Sequence, residues 1–348
     1  MRIVIDAMGG DHAPGQVVDG ALAAARQFGC GLILVGCQDA LARELARHPD
    51  RAQVDLRVVD APDVVAMAES PAATLRRKPR ASIRVAAELV ARGEAEALFS
   101  AGHTGATVVA AHATLGMVPG VDRPALAATV PTRRRPAVLL DAGATVECRP
   151  QHLVQFAVMG SVFARLQLGV ERPRVGLLSI GEEETKGNDL TREAYRLLKA
   201  TPLNFVGNVE ARDAYAGDVD VIVCDGFTGN VVLKVSEGLV ETVEALLRDE
   251  LSRTVARRVG YLLARNAFRR FRSRVDYSEY GGAPLVGVNG LCVVGHGRSS
   301  PKAVRNAVGL AFRFASAGFV RRLQEEIARV PLSWTNGRGD AGPARVGS

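Results

Sequence analysis

Two copies of a G-x-T-G motif are the features of this sequence best suited to chemistry. One copy lies at residues 102–105 and the other at residues 226–229, and each follows a short apolar run and precedes a helical pattern. Glycine lets the backbone turn sharply and expose its N–H groups, while the N-terminus of the following helix adds partial positive charge. Such a turn can bind phosphate, with the threonine hydroxyl as a further donor. One turn alone could be purely structural, but two matching turns favour a shared anion-binding cleft.

Two aspartates end apolar runs in a similar way. Asp6 is followed by Gly9 and Gly10, and Asp141 is followed by Gly143. Their carboxylates could line the anion site, or they could only hold the amides of their own turns, and the sequence favours neither role. The phosphate or substrate contacts predicted from these turns are Asp6, Gly9, Gly10, Gly102, His103, Thr104, Gly105, Asp141, Asp225, Gly226, Thr228 and Gly229.

The acidic segment at residues 181–189 contains a single lysine. A run of three acidic residues is usually a solvated loop, but this run follows an apolar strand pattern and leads to Lys186. An ammonium group beside the glycine turns would supply the full positive charge that backbone amides lack. We therefore expect Lys186 to be functional, and we expect Asp189 to cap the next helix.

Several motifs of other enzyme classes are missing from the sequence. No G-x-G-x-x-G follows the first strand pattern, and there is no Walker motif, no G-x-S-x-G and no H-E-x-x-H. These absences disfavour a typical dinucleotide enzyme, a serine hydrolase and a zinc hydrolase. The five cysteines are scattered and nowhere spaced C-x-x-C, which argues against a structural zinc or a disulfide framework. We expect no metal and no cofactor.

The elements that must position these residues alternate regularly along the chain. Short runs rich in Val, Ile and Leu predict strands at 2–6, 31–35, 54–59, 95–100, 126–130, 137–141, 174–180, 203–206, 219–224 and 290–295. Helical patterns between and after them lie at 16–28, 82–92, 105–115, 150–168, 189–200 and 300–329. Because several strands are apolar on both faces, this alternation predicts a three-layer α/β/α fold with a mainly parallel sheet. Ligands bind such sheets beyond the carboxyl ends of the strands, where the glycine turns lie.

Length and composition indicate one large globular unit. The chain has 348 residues, of which 47% are hydrophobic and 23% charged, which is ordinary for a globular protein. We predict a single α/β/α catalytic domain over residues 1–330 and a disordered tail at 331–348. No apolar run reaches the ~20 residues that cross a bilayer, and the N-terminus has no signal-peptide pattern, so we expect a cytoplasmic protein.

The net charge of +7 comes mainly from one region. Residues 251–275 contain eight arginines and no acidic residue, so the rest of the chain is nearly neutral and a nucleic-acid partner is disfavoured. This region belongs to a predicted protruding, basic, amphipathic helical segment at 239–280. Its apolar stripe favours an anionic membrane surface, with an oligomer interface or an acidic partner as alternatives. A second basic cluster at 76–80 could line the entrance for an anionic substrate. The predicted membrane contacts are Val259, Leu262, Leu263, Phe268 and Phe271.

Six sequence blocks, in order, resemble a known family. They are DAMGGDHAP (6–14), SAGHTGA (100–106), EETKGND (183–189), VDVIVCDGFTGN (219–230), YGGAPLVG (280–287) and GHGRS (295–299). Together they are similar to the bacterial phosphate acyltransferases of phospholipid synthesis. The resemblance implies transfer of a fatty acyl group from acyl carrier protein to inorganic phosphate by a homodimer, peripherally attached to the inner face of the membrane. It also implies a fold similar to phosphate acetyltransferase and isopropylmalate dehydrogenase. The family more usually has Asn where this chain has His103 and Thr145.

The residues fit that chemistry independently of the resemblance. Phosphate is already a competent nucleophile at neutral pH, and a thiolate leaves readily because a thiol pKa is ~8.5, so the enzyme must mainly supply positioning and oxyanion donors. We expect Lys186 to bind the phosphate and its developing charge. We expect Asn230, with the amides near Gly229, to hold the phosphate or the oxyanion. Two alternatives remain open, a phosphate acyltransferase acting on short-chain acyl-CoA and an NAD-dependent hydroxyacid dehydrogenase on the related fold.

Overall fold

The structure, a computed structural model, describes residues 1–66, 68–275 and 279–329. The strands in these ranges are β1 (Arg2–Asp6), β2 (Gly31–Gly36), β3 (Leu56–Asp60), β4 (Ala97–Ser100), β5 (Ala125–Leu126), β6 (Ala128–Val130), β7 (Ala137–Leu140), β8 (Val175–Leu178), β9 (Phe205–Val209), β10 (Val221–Val223), β11 (Ala283–Val286) and β12 (Leu291–Val294). The α-helices are α1 (Gly15–Phe28), α2 (Gln38–Leu45), α3 (Pro71–Arg77), α4 (Ser82–Ala91), α5 (Thr104–Leu115), α6 (Pro150–Leu168), α7 (Asp189–Lys199), α8 (Gly226–Ser252), α9 (Val255–Val275), α10 (Pro301–Ser316) and α11 (Phe319–Ala328).

The strands form two sheets. The first has the order β3-β2-β1-β4-β12-β11-β5, and the second has the order β6-β7-β10-β8-β9. Pairing is parallel except where β11 joins its two neighbours and where β6 joins β7. The predicted α/β/α fold with mainly parallel strands is confirmed, although the strands are shared between two sheets where the sequence suggested one.

The register of each sheet brings the carboxyl ends of neighbouring strands to one edge. Asp6 at the end of β1 pairs with Ser100 at the end of β4, and Ser100 pairs with Val294 at the end of β12. In the second sheet, Val223 at the end of β10 pairs with Leu140 at the end of β7, and β8 lies on the other side of β10. Each sheet therefore presents three strand ends, and the turns that follow them, side by side.

One hydrophobic cluster contains side chains from both sheets. It includes Ile5 of β1 and Val138 of β7, which are fully buried. Residues 152–164 of α6 are all buried, and Phe163 packs edge-on against Phe314 of α10 with 5.3 Å between the ring centroids. The two sheets thus share one hydrophobic core. The predicted tail at 331–348 lies outside the described residues.

Several predicted element boundaries differ from the structure. The strand predicted at 126–130 is two short strands that belong to different sheets, and the helix predicted at 300–329 is interrupted at Gly318, whose φ is +64°. β11 was not predicted, because Gly281, Gly282 and Pro284 in and before it are typical of a turn.

The helix cap predicted at Asp189 lies one residue earlier in the structure. The side chain of Asn188 accepts a hydrogen bond from the Thr191 amide at 2.9 Å, which makes Asn188 the N-cap of α7. Asp189 is the first residue of the helix, where its charge is favourable beside the positive end of the helix dipole. An N-cap residue and an acidic residue in the first helical turn have similar sequence signatures. The sequence alone therefore did not show which of Asn188 and Asp189 caps the helix.

The basic segment at 239–280 is two helices rather than one continuous pattern. α8 begins at Gly226, within the second G-x-T-G motif, and α9 follows after Arg253 and Thr254. α9 folds back on α8, and Arg257 pairs with Glu250 across the connection. Most side chains of this helical hairpin (α8 and α9) are exposed. Residues 276–278 of the predicted segment lie outside the described residues.

Candidate active site

The turns after β1 and β4 meet at the edge of the seven-stranded sheet. The Ser100 hydroxyl donates to Asp6 Oδ2 at 2.7 Å and accepts from the Gly102 amide at 3.1 Å. A Cβ on Gly9 would lie 2.7 Å from the Gly102 nitrogen, so a side chain does not fit between the two turns. Burial raises the pKa of the Asp6 carboxyl, which is 2% exposed. Asp6 is therefore a buried residue that holds the two turns together through the Ser100 hydroxyl.

The turn after β12 completes this edge. The Asp11 amide donates to the carbonyl oxygen of Gly297 at 2.8 Å. Gly10 has φ +116°, and a Cβ there would lie 3.2 Å from the same oxygen, so the turn needs glycine for both its conformation and its packing. The GHGRS block, for which no chemical role is predicted from the sequence, thus lies beside the turn that follows β1.

The first G-x-T-G turn presents unpaired amides. α5 begins at Thr104 with His103 as its N-cap, and the amides of His103, Thr104 and Gly105 have no hydrogen-bond acceptor among the described residues. The Nδ1 atom of His103 is buried and also lacks a partner in that part of the chain, and the His103 ring lies against Gly105. Adjacent free amides at the N-terminus of a 12-residue helix can bind an anion.

Asp141 organises the turn at the edge of the five-stranded sheet. Its carboxylate is fully buried and accepts five hydrogen bonds from the amides of Leu126, Gly143, Ala144 and Thr145, at 2.6–3.1 Å. Burial raises the pKa of the carboxyl, and the amide hydrogen bonds oppose that shift. Asp141 therefore holds its own turn, which is the second of the two roles considered from the sequence.

Thr145, where the family more usually has Asn, is also part of this support. Its hydroxyl donates to the carbonyl oxygen of Pro124 at 2.8 Å, and its own carbonyl oxygen accepts from the Gly226 amide at 2.9 Å. Thr145 is 9% exposed. Its contacts are thus structural and join the turn after β7 to the start of α8.

The second G-x-T-G turn differs from the first because Asp225 caps the helix. Asp225 accepts from the Thr228 amide and from the Thr228 hydroxyl, each at 2.8 Å, and its carbonyl oxygen accepts from the Gly229 amide at 2.9 Å. The Gly226 amide is occupied by Thr145. The amides of Gly226, Thr228 and Gly229 are therefore used within the protein. The groups at this turn that remain to contact an anion are the Phe227 amide, which has no acceptor among the described residues, and the side chain of Asn230.

Gly229 is required by close packing. A Cβ on Gly229 would lie 1.9 Å from the Asp141 carbonyl oxygen, whereas a Cβ on Gly238, in the same helix, would meet nothing within 4 Å. We expect Gly229→Ala to lower the free energy of unfolding by about 2–3 kcal/mol, because α8 must shift away from the strand end. Gly238→Ala should raise it by about 0.5–1 kcal/mol through helix propensity. Urea unfolding of both variants measures the difference, and equal stabilities would contradict this packing.

Asn230 and Lys186 lie at the same edge of the five-stranded sheet. Asn230 is in the first turns of α8, where a Cβ on Gly143 would lie 3.4 Å from the Asn230 Cβ. Lys186 is exposed in the turn after β8, the strand next to β10. Its ammonium has no ion-pair partner in the described part of the chain, although the neighbouring Glu184 pairs with Lys199 at 3.0 Å. The edge thus offers an unpaired cation and an amide side chain.

Helix α8 links the edges of the two sheets. Lys234, one turn beyond Asn230, has its Nζ 3.2 Å from Nε2 of His296 in the turn after β12. Further along, Glu241 of α8 lies 3.9 Å from Arg298 of the same turn. The carboxyl ends of the two sheets therefore face one another across a cleft that α8 bounds on one side.

Sequence reasoning missed Ser100, Lys234 and His296. The spacing of four residues between Asn230 and Lys234 places both on one face of a helix, and that signal was available. The contact between Lys234 and His296 was not available, because 62 residues separate them and only the packing of the two sheets brings them together.

The cysteines near this edge do not offer a nucleophile. Cys224 is 2% exposed, and burial raises the pKa of its thiol. Burial and then the Asp141 charge raise the pKa of Cys148 to about 12. Both thiols are therefore protonated at neutral pH, which disfavours covalent catalysis through cysteine.

One group among the described residues has the spacing of metal ligands. Asp19, Glu44 and His48 offer ligand atoms that all lie within 4.8 Å of one another, with His48 Nε2 3.0 Å from Asp19 Oδ1. They lie at α1, at α2 and just after α2, and none belongs to the turns that form the cleft. The chemistry predicted for the cleft does not depend on them.

The chain is similar to known proteins in both sequence and structure. Residues 1–322 match the family described as "Fatty acid synthesis protein". The chain is 50% identical over 327 residues to a phosphate acyltransferase of Geobacter sulfurreducens, and 50% identical over 327 residues to one of Pelotomaculum thermopropionicum, with 94% of each chain covered in both cases. Its structure is similar to a phosphotransacetylase from Streptococcus pyogenes, with a TM-score of 0.62 and 18% identity over 91% of this chain and 94% of that one. This structural likeness shows a shared fold.

Proposed function

This chain belongs to the fatty acid synthesis protein family, and from that membership we propose that it transfers a long-chain fatty acyl group from acyl carrier protein to inorganic phosphate. The products are an acyl phosphate, used for phospholipid synthesis, and the free carrier protein. The observation that carries the proposal is the cleft itself. Free amides at 103–105 lie at one sheet edge, while Lys186 and Asn230 lie at the facing edge.

The cleft suits this reaction because the reaction needs positioning more than it needs a strong acid or base. An oxygen of hydrogen phosphate attacks the thioester carbonyl carbon, the C–S bond breaks, and its electron pair leaves on sulfur. The proton of hydrogen phosphate ends on the released thiol. Donors that hold the phosphate and the carbonyl oxyanion stabilise the transition state. We assign the phosphate to Lys186 and the amides at 103–105, and the oxyanion to Asn230.

A groove beside α8 supports a long acyl chain. It has a volume of about 820 Å³ and begins one turn beyond Asn230. Its lining includes seven apolar or aromatic side chains: Val130, Pro131, Tyr215, Leu233, Leu239, Val240 and Phe271. Charged side chains lie among them: Arg133, Glu237, Glu241, Glu244 and Arg274. Burial of methylene groups there would favour a fatty acyl donor by ~0.8 kcal/mol per CH₂ over an acetyl donor. Short-chain acyl-CoA is therefore the less favoured donor, and the curated relatives give no support to a hydroxyacid dehydrogenase.

Exposed basic residues near the cleft support acyl carrier protein as the donor. Arg76 and Arg77 of α3 are exposed and have no acidic partner within 4 Å among the described residues, whereas Arg80 pairs with Asp60. α3 packs on α5, and its first residue, Pro71, lies against Gly105 of the first G-x-T-G turn. Carrier proteins are acidic, so unpaired arginines beside the cleft would favour their docking.

A homodimer is supported by an unpartnered face of α8. Apolar residues recur there every three or four positions and are 39–64% exposed: Phe227, Val231, Val235, Leu239, Val243 and Leu246. This stripe begins at the second G-x-T-G turn, so a second copy packed on it would lie close to the cleft. A face of this kind is typical of a helix that packs on another chain.

Peripheral membrane attachment is supported by the tip of the helical hairpin. Val259, Leu262 and Leu263 form one face of α9 and are 55%, 71% and 85% exposed, with arginines on both sides. Phe268 packs on the Tyr261 ring of the same helix, with 5.2 Å between the ring centroids. Leu262, Phe268 and Phe271 also line a groove between α8 and α9, whereas Val259 and Leu263 are not part of its lining. No helix in the described ranges is apolar over a length that would span a bilayer. We place the protein in the cytoplasm, on the inner membrane face.

The proposal predicts phosphate-dependent release of carrier thiol. Purified protein is mixed with palmitoyl acyl carrier protein and inorganic phosphate, and the free thiol is followed with time. We expect release that saturates with phosphate, that stops when sulfate replaces phosphate, and that is at least ten times slower with acetyl-CoA as the donor. Equal rates with acetyl-CoA would favour the short-chain alternative. Release that does not depend on phosphate would remove the proposal.

A further inference from the structure

We propose that Lys234 binds the phosphate substrate together with Lys186, and that His296 is a positioning residue that holds the Lys234 ammonium at the cleft. This inference rests on the proposed function, because it concerns the same substrate. It adds two residues from different parts of the chain to the site and gives each a separate role.

The contacts of Lys234 leave one of its protons free. An ammonium group carries three donors. One reaches Glu237 Oε2 at 2.8 Å and one reaches His296 Nε2 at 3.2 Å, and the third has no acceptor in the ranges that the structure describes. The side chain is 51% exposed. The group is thus held from two sides and remains accessible to a ligand.

The position of Lys234 places this free donor in the cleft. Asn230 precedes it by four residues on the same helix, so the two side chains share one face and are separated by about 6 Å along the axis. His296 comes from the facing sheet edge, in the turn after β12. The ammonium therefore lies where the two edges approach each other, between Asn230 and the turn that contains His296.

The charge of the substrate calls for a second cation. Hydrogen phosphate carries close to two negative charges at neutral pH, and attack on the thioester adds charge at the carbonyl oxygen. Lys186 supplies one full positive charge, and amides at a helix N-terminus supply partial charges only. The Lys234 ammonium would add a second full positive charge near Asn230, which its exposed ion pair with Glu237 only partly offsets.

His296 has the properties of a neutral acceptor fixed in place. Burial, followed by the Lys234 charge, lowers the pKa of the imidazole, so the ring is neutral at pH 7 and has a single acceptor nitrogen. Two donors face the ring, the Arg298 amide at 3.2 Å from Nδ1 and the Lys234 ammonium at 3.2 Å from Nε2. Because the charged ammonium is the stronger donor, we assign the acceptor to Nε2 and the ring proton to Nδ1. The His296 carbonyl oxygen accepts from the Ser299 amide at 2.9 Å and from the Ser299 hydroxyl at 2.6 Å. The next residue, Gly297, accepts from Asp11. The ring is therefore anchored to the first sheet edge.

A simple surface ion pair would not need this arrangement. Arg196 and Glu193 of α7 form such a pair, three residues apart on one helix at 3.2 Å, with both side chains about half exposed or more. Lys234 and Glu237 have the same spacing, but Lys234 also contacts a residue anchored to the other sheet. Arg196→Met is therefore a matched control that removes a cation from a helix pair outside the cleft.

The first test compares Lys234→Met with Lys234→Arg. Loss of a charged hydrogen bond to phosphate should raise the KM for phosphate by about 10–100-fold in Lys234→Met. The KM for palmitoyl acyl carrier protein should change less than twofold. In Lys234→Arg, which keeps a positive charge, the logarithm of the KM for phosphate should return at least halfway to the wild-type value. Arg196→Met should match the wild type in both constants. An unchanged KM for phosphate in Lys234→Met overturns the proposal.

The second test separates the positioning role of His296 from a structural one. His296→Leu should raise the KM for phosphate about 5–10-fold, with little change in kcat or in the melting temperature, because the ammonium loses its anchor. His296→Gln keeps a side-chain acceptor and should restore most of the phosphate affinity. Equal KM values for phosphate in the Gln and Leu variants would contradict the role of the acceptor.

The outcomes also distinguish this inference from the proposed function. If Lys234→Met raises the KM for the acyl carrier protein and not the KM for phosphate, the ammonium contacts the phosphodiester of the carrier arm and the inference is wrong. If wild-type protein shows no phosphate-dependent thiol release, the proposed function fails first. Normal wild-type turnover with unchanged constants in Lys234→Met rejects only the inference.

Discussion

Lys186→Ala is expected to lower the turnover number by a factor of about 10²–10³ while leaving the fold intact. The ammonium of Lys186 is exposed and makes no ion pair within the described residues, so its removal breaks no contact that stabilises the turn. The backbone hydrogen bond from the Lys186 amide to the Glu183 carbonyl oxygen, at 3.0 Å, remains in the variant. The loss should therefore appear in the transition state, where the phosphate and the developing oxyanion need the charge. Steady-state turnover with palmitoyl acyl carrier protein measures it.

The control for Lys186 is a variant of the same turn. Glu184→Gln removes the ion pair with Lys199 and keeps Lys186, so it tests whether disturbance of the turn alone lowers the rate. We expect this variant to retain turnover within about threefold of the wild type, since exposed ion pairs contribute little to stability. We also expect Lys186→Ala to melt within a few degrees of the wild type. Turnover near the wild-type value in Lys186→Ala would remove Lys186 from the mechanism.

The position of the candidate site could be predicted, because it follows from where the buried strands end along the sequence. Apolar runs of the length of β1, β4 and β10 identify buried parallel strands, and ligand sites in such sheets lie after their carboxyl ends. The glycines of both G-x-T-G motifs then mark the turns. The similarity to known proteins confirms the family resemblance, and the arrangement of strands and helices confirms the α/β/α fold. The assignment of particular contacts to phosphate stays a prediction.

The roles of individual polar groups were less predictable because they depend on local capping. The two G-x-T-G motifs are identical in pattern, yet Asp225 occupies the amide and the hydroxyl of Thr228 in the second turn, whereas His103 leaves the Thr104 and Gly105 amides of the first turn free. The sequence contains this difference, because Asp is a good N-cap residue and His is not. The shared G-x-T-G pattern nevertheless suggested the same role for both turns. The role of Asp141 was equally hard to predict, because one of its five amide contacts comes from Leu126 in β5 and the other four come from its own turn after β7.

Contacts between the two sheets could not be predicted from a single sequence. The division of residues 125–130 into β5 and β6, in different sheets, depends on how the sheets pack, and both strands are apolar in the same way. The contact of Lys234 with His296 likewise exists only because α8 reaches from one sheet edge to the other. Periodicity describes an element and its buried face, and it carries no information about which distant element that face meets.

Replacing Leu262 and Leu263 by glutamate is expected to release the protein from anionic vesicles. The two side chains are 71% and 85% exposed on α9, so burying them in the membrane interface would contribute about 3–6 kcal/mol. Arg269 and Arg270 follow on the same helix and would add ~1 kcal/mol each near an anionic surface. Two glutamates remove the apolar contribution of the leucines, and their negative charges oppose the attraction of the arginines to the anionic surface. We expect binding to vesicles containing phosphatidylglycerol to weaken by at least 100-fold, measured by vesicle sedimentation.

A matched variant on the other helix of the hairpin separates membrane binding from dimer formation. Leu246→Glu changes a residue that is 64% exposed in the α8 stripe and leaves the α9 face intact. We expect it to weaken the dimer in sedimentation velocity and to retain binding to vesicles, whereas the Leu262 and Leu263 variant should remain dimeric in solution. Phe268 is kept in both proteins, because it packs on Tyr261 and its replacement would disturb the hairpin itself. The opposite result is also informative. If the Leu262 and Leu263 variant keeps its vesicle binding and loses the dimer, this face of α9 contacts a second copy of the chain. The same exposed leucines cannot be buried in the bilayer and in the dimer interface at once.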